Sequence, residues 1–419
     1  MKEDKTVPQL RFPEFTDAWK QRELGEIAER VTRRNSSLES QTPLTISAEY
    51  GLIDQNKFFG KRIAAKDLSN YYLIQKGEFA YNKSTSNDAP WGAIKRLDCY
   101  NNGALSTLYI VFKIKDNKSC YSDFLVTYYG TSLWHKEVKE IASEGARNHG
   151  LLNVSPSDFF RTKLVIPQDF EEQRKIGAFF TQLDNTITLQ QRKLNSLQKL
   201  KKGLLQKMFP KNGENIPEIR FPEFSDAWKQ RKLREVVKEF YNGQTPYRQN
   251  KAYWGGNVNW LTSGDLNRDV VTNTIEKITE EGQKASRLRI IPKETLVIAI
   301  MGLEAAGTRG NCGILGIDTT INQACMALIA NESIATKDFL FQWYKAFGNR
   351  LALKFTQGTK QQNYNEELLG NLDISYPSLK EQQQIGAFFT QLDNTITLQQ
   401  RKLESLQKLK KGLLQQMFI

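Results

Sequence analysis

Cysteine and histidine are scarce in this chain of 419 residues, which holds four Cys and two His. The cysteines show no C-x-x-C spacing, so the sequence favours neither a zinc cluster nor a disulfide framework. No apolar run approaches the roughly 20 residues of a membrane-spanning helix, and the first residues lack the apolar stretch of a signal peptide. We therefore expect a cytoplasmic protein that binds no metal and no cofactor.

Acidic residues are outnumbered by basic ones. The chain has 59 Lys and Arg against 46 Asp and Glu, a net charge of +13, and both halves are basic. A positive field on each half attracts a polyanion, and nucleic acid is the commonest one. The alternative at this point is an ordinary basic protein.

The chain contains an internal repeat of one unit. Residues 176–209 return as 385–418 with two of 34 positions changed, and residues 8–24 return as 217–233 with 13 of 17 positions identical. The offset is 209 residues in both cases. We call these repeated segments, with the few residues that join them to the rest, the frame.

Two inserts lie within the frame, residues 25–165 and 234–375, and they have almost no sequence in common. A shared frame indicates the same mechanical task in both copies, although recent duplication also produces identity. Unlike inserts indicate that each copy handles a different object. The pattern therefore predicts a protein with two recognition modules, or heads, each of which recognises a different object.

Each copy of the frame ends in a long predicted helix. Over 171–209 apolar residues recur at three- and four-residue steps, with Pro167 before the run and Pro210 after it. A helix of 34 residues is about 50 Å long, in the range of coiled-coil struts. We expect the two helices to pair antiparallel, with the inserts at opposite ends. Basic residues in the second half of the helix form a solvated face or contact a partner or phosphate.

Both inserts are predicted to be α+β, because short apolar stretches alternate with polar turns and each insert has one amphipathic stretch. We predict strands at 42–48, 71–82, 106–114, 161–167, 295–302, 323–330 and 372–377, and helices at 123–142 and 337–355. The loops between them are rich in side chains that bind base edges and phosphates. We expect DNA contacts from Lys83, Ser84, Thr85, Asn87, Arg147, Asn148, Trp260, Thr262, Ser263, Arg309, Lys360, Gln361 and Asn363.

Two sets of motifs complete the pattern. In each copy a proline is followed by E-Q-x-x-I-G-x-F-F-x-x-L-D, which begins at Glu172 and at Glu381. The second insert adds Gly243-Gln244-Thr245-Pro246, Trp260-Leu261-Thr262-Ser263-Gly264-Asp265-Leu266 and Asn322-Gln323. With the repeat, these motifs resemble the specificity (S) subunit of type I DNA restriction-modification systems over essentially the whole chain.

The resemblance implies an α+β fold of two globular target-recognition domains separated by two long antiparallel helices in a coiled coil, with a pseudo-two-fold internal repeat. The implied parts are the first domain at 8–165, a central helix at 166–209, a linker at 210–216, the second domain at 217–375 and a C-terminal helix at 376–419. Such a subunit binds double-stranded DNA at a bipartite target, two half-sites with a non-specific spacer, and has no catalysis of its own.

The resemblance also implies protein partners. Two methyltransferase (modification) subunits would dock on the helices, which act as a ruler, and restriction/translocase subunits would join that complex. We expect the helices to contact these partners through apolar residues, namely Leu183, Ile187, Leu194, Leu392, Ile396 and Leu403.

Two other functions remain open on the residues alone. One is a stand-alone DNA nuclease or DNA-modifying enzyme with two DNA-binding heads, and the other is a coiled-coil scaffold that binds proteins. The sequence has no N-P-P-Y motif, no G-x-x-x-x-G-K-[ST] loop and no Cys/His nucleophile pattern, which disfavours an enzyme. The basic charge of both halves disfavours a protein scaffold.

Exchange of one insert tests the two-head prediction. Replacing residues 25–165 with the insert of a related subunit should change one half-site and leave the other unchanged, because the frame on either side stays the same. The measurement is a genome-wide map of methylated sites. A folded chimera in which both half-sites change would contradict the prediction.

Overall fold

The computed structural model describes residues 7–47, 50–87, 89–116, 118–142, 150–211, 214–303, 305, 307–355 and 363–419. The chain divides into two compact units, one formed by residues up to Gln191 with Arg401–Ile419, the other by Arg192–Gln400. Each unit therefore holds one insert and a part of both long helices. No helix in these ranges has the length and apolar character needed to cross a membrane.

The first unit is built from short strands and helices. The strands form a four-stranded antiparallel sheet in the order β2-β9-β6-β7 and the pairs β1-β10, β3-β4 and β5-β8. They are β1 Lys20–Glu23, β2 Ala28–Arg30, β3 Leu44–Ser47, β4 Gly51–Asp54, β5 Tyr72–Gln75, β6 Phe79–Asn82, β7 Ala93–Arg96, β8 Asn102–Leu105, β9 Ile110–Ile114 and β10 Lys163–Ile166. The helices are α1 Leu24–Ile27, α2 Gln55–Phe59, α3 Ser122–Tyr129, α4 Trp134–Ile141, α5 Pro156–Phe160 and the start of α6 Phe170–Lys207.

The second unit has larger sheets. A five-stranded sheet has the order β12-β19-β16-β17-β14, a three-stranded sheet the order β15-β13-β18, and β11 pairs with β20. The strands are β11 Lys229–Lys232, β12 Val237–Asn242, β13 Trp254–Leu261, β14 Val270–Val271, β15 Glu276–Ile278, β16 Leu296–Ala299, β17 Cys312–Leu315, β18 Thr320–Ile321, β19 Cys325–Ala330 and β20 Asp373–Tyr376. The helices are α7 Leu233–Val236, α8 Glu280–Ala285, α9 Lys337–Phe355, α10 Glu366–Gly370 and α11 Leu379–Met417, with 3-10 turns at Lys251–Tyr253 and Ser263–Asp265.

The frame closes each insert with one strand pair. β1 runs antiparallel to β10, with Lys20 opposite Ile166, and β11 runs antiparallel to β20, with Lys229 opposite Tyr376. The chain enters the insert from one strand and leaves it by the other. The two ends of each insert are thus hydrogen-bonded neighbours, whatever the insert contains.

The predicted long helices are present, with 38 residues in α6 and 39 in α11. In the first unit Asp184, in the first half of α6, pairs with Lys410 near the end of α11. In the second unit Lys201, near the end of α6, pairs with Asp393 in the first half of α11. In each unit the beginning of one helix therefore lies beside the end of the other, as expected for an antiparallel pair.

A lysine of each insert lies near one of these ion pairs. In the second unit Lys345 of α9 joins the pair, since its Nζ lies 2.8 Å from Asp393 Oδ2; burial lowers the pKa of Lys345, and Asp393 opposes that shift. In the first unit Lys95 of β7 is half-buried, and its pKa is lowered by burial and by the charge of Lys410, while Asp184 opposes that shift. The helix pair is thus linked to the second insert by an ion pair.

A buried glutamate at the start of each long helix binds the opening segment of its unit, which is the repeated segment 8–24 in the first unit and 217–233 in the second. Glu172 accepts hydrogen bonds from Arg11 Nε at 2.6 Å, Arg11 Nη2 at 2.7 Å and Trp19 Nε1 at 3.2 Å. Glu381 accepts two from Arg220, each at 2.7 Å. Both carboxylates are essentially inaccessible to water. We call this bidentate arrangement the arginine clip.

The glutamine that follows each glutamate binds the insert. The side chain of Gln173 accepts from Tyr121 N at 2.8 Å, just before α3, and donates to Pro167 O at 2.9 Å. Gln382 accepts from Thr336 N at 2.9 Å, just before α9, and donates to Pro377 O at 2.9 Å. The E-Q motif therefore holds both the opening segment and the first residues of the insert helix.

The glycine of the I-G-x-F-F motif provides the space for this contact. A Cβ at Gly177 would lie 2.7 Å from Phe124 N, and a Cβ at Gly386 would lie 2.8 Å from Asp338 Cβ. Real Cβ atoms do not approach that closely, so the start of the insert helix packs directly against the backbone of the long helix.

The end of each long helix completes the core of a unit. Phe209 contacts Trp228 and Phe339 in the second unit, at ring distances of 6.0 and 5.6 Å. Phe418 contacts Trp19 and Phe124 in the first, at 6.0 and 5.5 Å. Such aromatic pairs bury large apolar areas, and they place Trp19 and Trp228 in the cores of their units.

The backbone joins opening segment and helix end in the same way in both units. Ile219 N donates to Lys207 O at 2.9 Å, and Leu10 N donates to Gln416 O at 2.9 Å. The first bond joins neighbours across a short loop, whereas the second joins segments about 400 residues apart in the numbering.

Two predictions of secondary structure were wrong. The stretch 71–82, predicted as one strand, forms the two strands β5 and β6, because the chain turns at Gly77, whose φ of 88° favours glycine. The stretch 123–142 forms two helices, α3 and α4, because the chain turns at Gly130, where Thr131 Oγ1 donates to Tyr128 O at 2.7 Å. The turn lets Trp134 pack beneath α3 with its Nε1 bound to Tyr129 O at 3.2 Å.

Loss of the arginine clip should destabilise the chain strongly. Glu172→Ala should lower the free energy of unfolding by about 3–5 kcal/mol, because the largely buried Arg11 guanidinium loses its carboxylate. Glu171→Ala is the matched control, since Glu171 is exposed and pairs with the exposed Arg174 three residues along the same helix; its effect should stay within about 0.5 kcal/mol. Thermal unfolding of the full chain measures both, and equal midpoints would show that the clip adds nothing.

Candidate nucleic-acid interface

Three separate segments of the second insert meet at the end of β13. β13 pairs in parallel with β18, with Leu261 opposite Ile321, and Asn322 N donates to Leu261 O at 2.9 Å. The loop at Gly243 lies against the same place, since a Cβ there would be 1.7 Å from Ile321 O. The G-x-T-P, T-S-G-D and N-Q motifs therefore form one surface.

Asp265 shapes the turn that follows β13. Its Oδ2 accepts from Thr262 N at 2.7 Å and from Thr262 Oγ1 at 2.8 Å, and its Oδ1 accepts from Ile275 N at 2.8 Å. Both oxygens are thus used within the protein. Thr262 and Ser263, which we expect to contact DNA, are half-exposed on this turn.

Trp260 has a different place from the one expected. Its side chain is 1% exposed and lies in the core, and its Nε1–H donates to Gln244 O at 3.1 Å. The ring is therefore not available for DNA contact. Burial of an aromatic residue depends on tertiary packing, and the local sequence gave no sign of it.

Two exposed amides beside the turn were missed. Gln244 and Gln323 are both exposed, and Thr245 Oγ1 donates to Gln323 Oε1. Amide side chains recognise adenine edges. Gln244 belongs to the G-x-T-P motif and Gln323 to the N-Q motif. Their proximity to Thr262 in the fold makes them candidates for DNA contact.

Of the other candidates of the second insert, Asn363 lies close to the same motifs. Ile300 N donates to Ala324 O at 2.9 Å, and Tyr364 N donates to Ile300 O at 2.8 Å, which places Asn363 beside the N-Q segment. Arg309 is half-exposed, with Nε bound to Leu303 O at 2.9 Å. Lys360 and Gln361 lie outside the described residues.

In the first insert the loop 83–87 packs against the segment at 150–154. Thr85 N and Oγ1 both donate to Gly150 O, at 2.6 and 2.9 Å, and Leu152 N donates to Lys83 O at 2.9 Å. Ser84 and Asn87 are exposed. Arg147 and Asn148 lie outside the described residues, immediately before this segment in the sequence.

Lys83 is half-buried within this loop. Its Nζ donates to Val154 O at 3.4 Å. Burial lowers the pKa of Lys83, and the like charge of Arg30 lowers it further. Within the described residues no carboxylate pairs with either cation, and two such cations close together are suited to a phosphate.

The six apolar helix residues that we expect to contact partner subunits are only partly exposed. Leu194 and Leu403, which occupy the same position of the two repeats, are each 3% exposed. The prediction that they contact partner subunits was therefore wrong, because both side chains are buried within the chain itself. Leu183, Ile187, Leu392 and Ile396 are half-buried.

Other apolar residues of the long helices are exposed and were missed. Leu189 and Leu398 are 64% and 65% exposed, and Leu200 and Leu409 are 52% and 53% exposed. Each pair occupies the same position of the two repeats. The sequence shows that these leucines occur in both repeats, but it does not show that their side chains are exposed.

No catalytic centre emerges in the described part of the chain. It contains no group of three His, Cys, Asp or Glu that could hold a metal ion. Burial raises the pKa of the Cys120 and Cys312 thiols to about 12, so neither is an activated nucleophile. In the sequence Glu137-Val138-Lys139, which resembles a fragment of a nuclease site, Glu137 Oε2 accepts a hydrogen bond from Lys163 N at 2.9 Å.

The two copies of the unit each match one family model. Residues 16–199 and 225–408 match the type I restriction modification DNA specificity domain. The chain belongs to this family. As a type I specificity subunit it is the non-catalytic part of a restriction enzyme.

Curated relatives of the specificity subunit agree. It is 28% identical over 196 residues to the type I restriction enzyme MjaIX specificity subunit of Methanocaldococcus jannaschii, covering 46% of this chain and 44% of that protein. It is 27% identical over 185 residues to the EcoR124I/EcoR124II specificity subunit of Escherichia coli, covering 43% and 44%. These two alignments span less than half of each relative. The putative MjaX specificity subunit of M. jannaschii aligns at 20% identity over 96% of this chain and 93% of its own.

Two solved structures share the fold of this specificity subunit. The S subunit of M. genitalium superposes with a TM-score of 0.61 at 13% identity, covering 99% of both chains. A chain from a study of complex assembly in a type I R-M system gives 0.54 at 16% identity, covering 96% of this chain and 97% of that one.

The Lys83 assignment can be tested by its salt dependence. Lys83→Ala should weaken binding to all DNA sequences alike and reduce the slope of log K against log salt by about 1, because a phosphate contact is lost. Lys76→Ala, an exposed lysine at the turn after β5, is the control. Fluorescence anisotropy at several salt concentrations measures both. The same change in both variants would refute a special role for Lys83.

Proposed function

We propose that this specificity subunit reads a bipartite double-stranded DNA target. Each unit binds one half-site, and the spacer between the half-sites is not read. The observation that carries the proposal is the pair of arginine clips, because one set of frame contacts holds two inserts that differ in sequence and in sheet topology. Two different insert surfaces, each held by the same frame contacts, suit two different half-sites.

The base-reading surfaces are the loops that the fold brings together. In the second unit they comprise the turn at Thr262 and Ser263, the exposed amides Gln244 and Gln323, and Asn363. In the first unit they comprise the loop 83–87 and the segment at 150–154. Arg147, Asn148, Lys360 and Gln361 stay candidate contacts from the sequence. Hydroxyls and amides recognise base edges, and Arg and Lys bind guanine or phosphate. The net charge of +13 supplies the sequence-independent attraction.

The long helices carry two further parts of the proposal. They set the distance between the units, and they bind two methyltransferase subunits, with restriction/translocase subunits completing a cytoplasmic complex. The exposed leucines support docking, since an apolar side chain repeated in water-facing positions of both helices gains free energy when a partner covers it. The study of complex assembly in a type I R-M system, which contains a chain of this fold, also supports it.

A stand-alone nuclease or modifying enzyme is the competing function. The purified chain would then cut DNA or consume S-adenosylmethionine without other subunits. We expect neither, and we expect sequence-specific methylation only when the methyltransferase subunits are added.

Lengthening a long helix tests the ruler. Four residues inserted after Leu183 add about 6 Å, and a base pair rises about 3.4 Å, so the spacer should grow by roughly one to two base pairs. The direction is the decisive readout, because four residues exceed one helical turn by about 40° and cost some affinity. Methylated sites are mapped with the assembled methyltransferase.

The control places four residues after Lys211, in the loop between α6 and the second opening segment. The bond from Ile219 N to Lys207 O lies outside this loop, so the loop can grow without lengthening the helix, and the spacer should not change. An active helix-insertion variant with the original spacer would rule out the ruler.

A further inference from the structure

Ile275 is the most exposed of the large apolar side chains in the described part of the chain, at 79%. It lies immediately before β15, in the second unit. An isolated exposed isoleucine is common on protein surfaces. What sets this one apart is how firmly its backbone is held.

The residues on both sides of Ile275 are fixed. Its own N–H donates to Asp265 Oδ1 at 2.8 Å, and Thr274, which is 3% exposed, donates from Oγ1 to Glu276 O at 2.9 Å. Glu276 forms a bidentate ion pair with Arg248, at 2.5 and 2.8 Å. The side chain of Ile275 is therefore presented to solvent from a rigid backbone.

The ion pair of Arg248 with Glu276, next to Ile275, stacks on an aromatic ring. The Arg248 guanidinium lies 3.9 Å from the centre of the Trp254 ring, and its hydrogen bonds lower the pKa of the Glu276 carboxyl. Tyr247, next to Arg248 in the chain, is 63% exposed. A paired cation stacked on an aromatic ring, beside an exposed tyrosine and an isoleucine, does not match the free lysines and arginines that bind phosphates.

Asp265 links Ile275 to the base-reading turn. One carboxylate binds Ile275 N through Oδ1 and Thr262 N through Oδ2, at 2.8 and 2.7 Å. The two backbones are therefore within a few ångströms of one another, about the span of a single carboxylate and its two hydrogen bonds. If Thr262 and Ser263 meet a base pair, Ile275 is carried to the same base pair or its neighbour.

An aliphatic side chain can distinguish one group in the major groove. Every base edge there presents hydrogen-bonding atoms, and only thymine adds an apolar group, its 5-methyl. We propose that Ile275 is a specificity-determining residue that contacts a thymine methyl in the half-site read by the second unit. This inference rests on the proposed function and names one base contact within it.

The test begins with the wild-type subunit in its complete restriction-modification complex. Mapping of methylated sites defines the half-site of the second unit, and exchange of residues 25–165 shows which half-site that is. That half-site must contain at least one T·A pair. A half-site with none overturns the inference and leaves the proposed function intact.

The second step uses Ile275→Ala and duplexes in which each thymine of that half-site is replaced in turn by uracil, which lacks the methyl. For the wild type, one uracil position should reduce affinity about fourfold, the value of one buried methyl or methylene group. Ile275→Ala should bind thymine DNA several-fold more weakly than wild type and be insensitive to uracil at that position. Its methylated sites should be relaxed at that pair alone.

Val270→Ala is the control, because Val270 is also exposed and β-branched, at 47%, but is not bound to Asp265. It should behave as wild type. Ile275→Ala with unchanged affinity, or with the same uracil sensitivity as wild type, overturns the inference. A wild-type complex that reads no second half-site overturns the proposed function instead.

Discussion

The buried pairing of a helix glutamate with an arginine of the opening segment is the contact on which both units depend. Glu172 with Arg11, and Glu381 with Arg220, pair a buried carboxylate with a guanidinium whose side chain is only 10% or 12% exposed. Such a pair is weak evidence for net stability, but it tolerates little change of geometry, because either charge alone is costly to bury. The clip therefore defines where the opening segment lies on the long helix.

The rest of the frame follows from that position. The adjoining glutamine binds the first turn of the insert helix, and Gly177 or Gly386 allows that helix to touch the long helix. The strand pair then closes the insert. These contacts do not involve the candidate DNA-binding loops of the inserts. The sequences of those loops can therefore vary while the frame contacts stay the same.

The frame was predictable from the sequence because its signals are periodic or repeated. Residue 355 ends both the predicted and the observed α9, and the long helices lie where the apolar stripe and prolines placed them. The faces of those helices were less predictable. Leu194 is buried and Leu189 exposed, a difference set by what packs against the helix and not by residue type.

The candidate site was predictable as a set of segments but not as a surface. Thr262 and Asn322 are 60 positions apart in the chain, and only the parallel pairing of β13 with β18 brings them together. Trp260 belongs to the same motif, yet its ring is in the core. The turn at Gly130 also depended on packing of Trp134. In each case a local pattern identified the residues, and long-range contacts decided which atoms face outward.

The reciprocity of the helix ion pairs has an evolutionary consequence. Asp184 and Lys201 of one repeat are the equivalents of Asp393 and Lys410 of the other, so a single copy carries both members of the pair. Two separate half-length chains would satisfy these bonds mutually, as in an isologous dimer. Such a homodimer has two identical inserts, and under the proposed function it suits only a palindrome. Fusion of the two copies into one polypeptide removes that symmetry requirement, since each insert then mutates alone, and under the same proposal an asymmetric target becomes accessible.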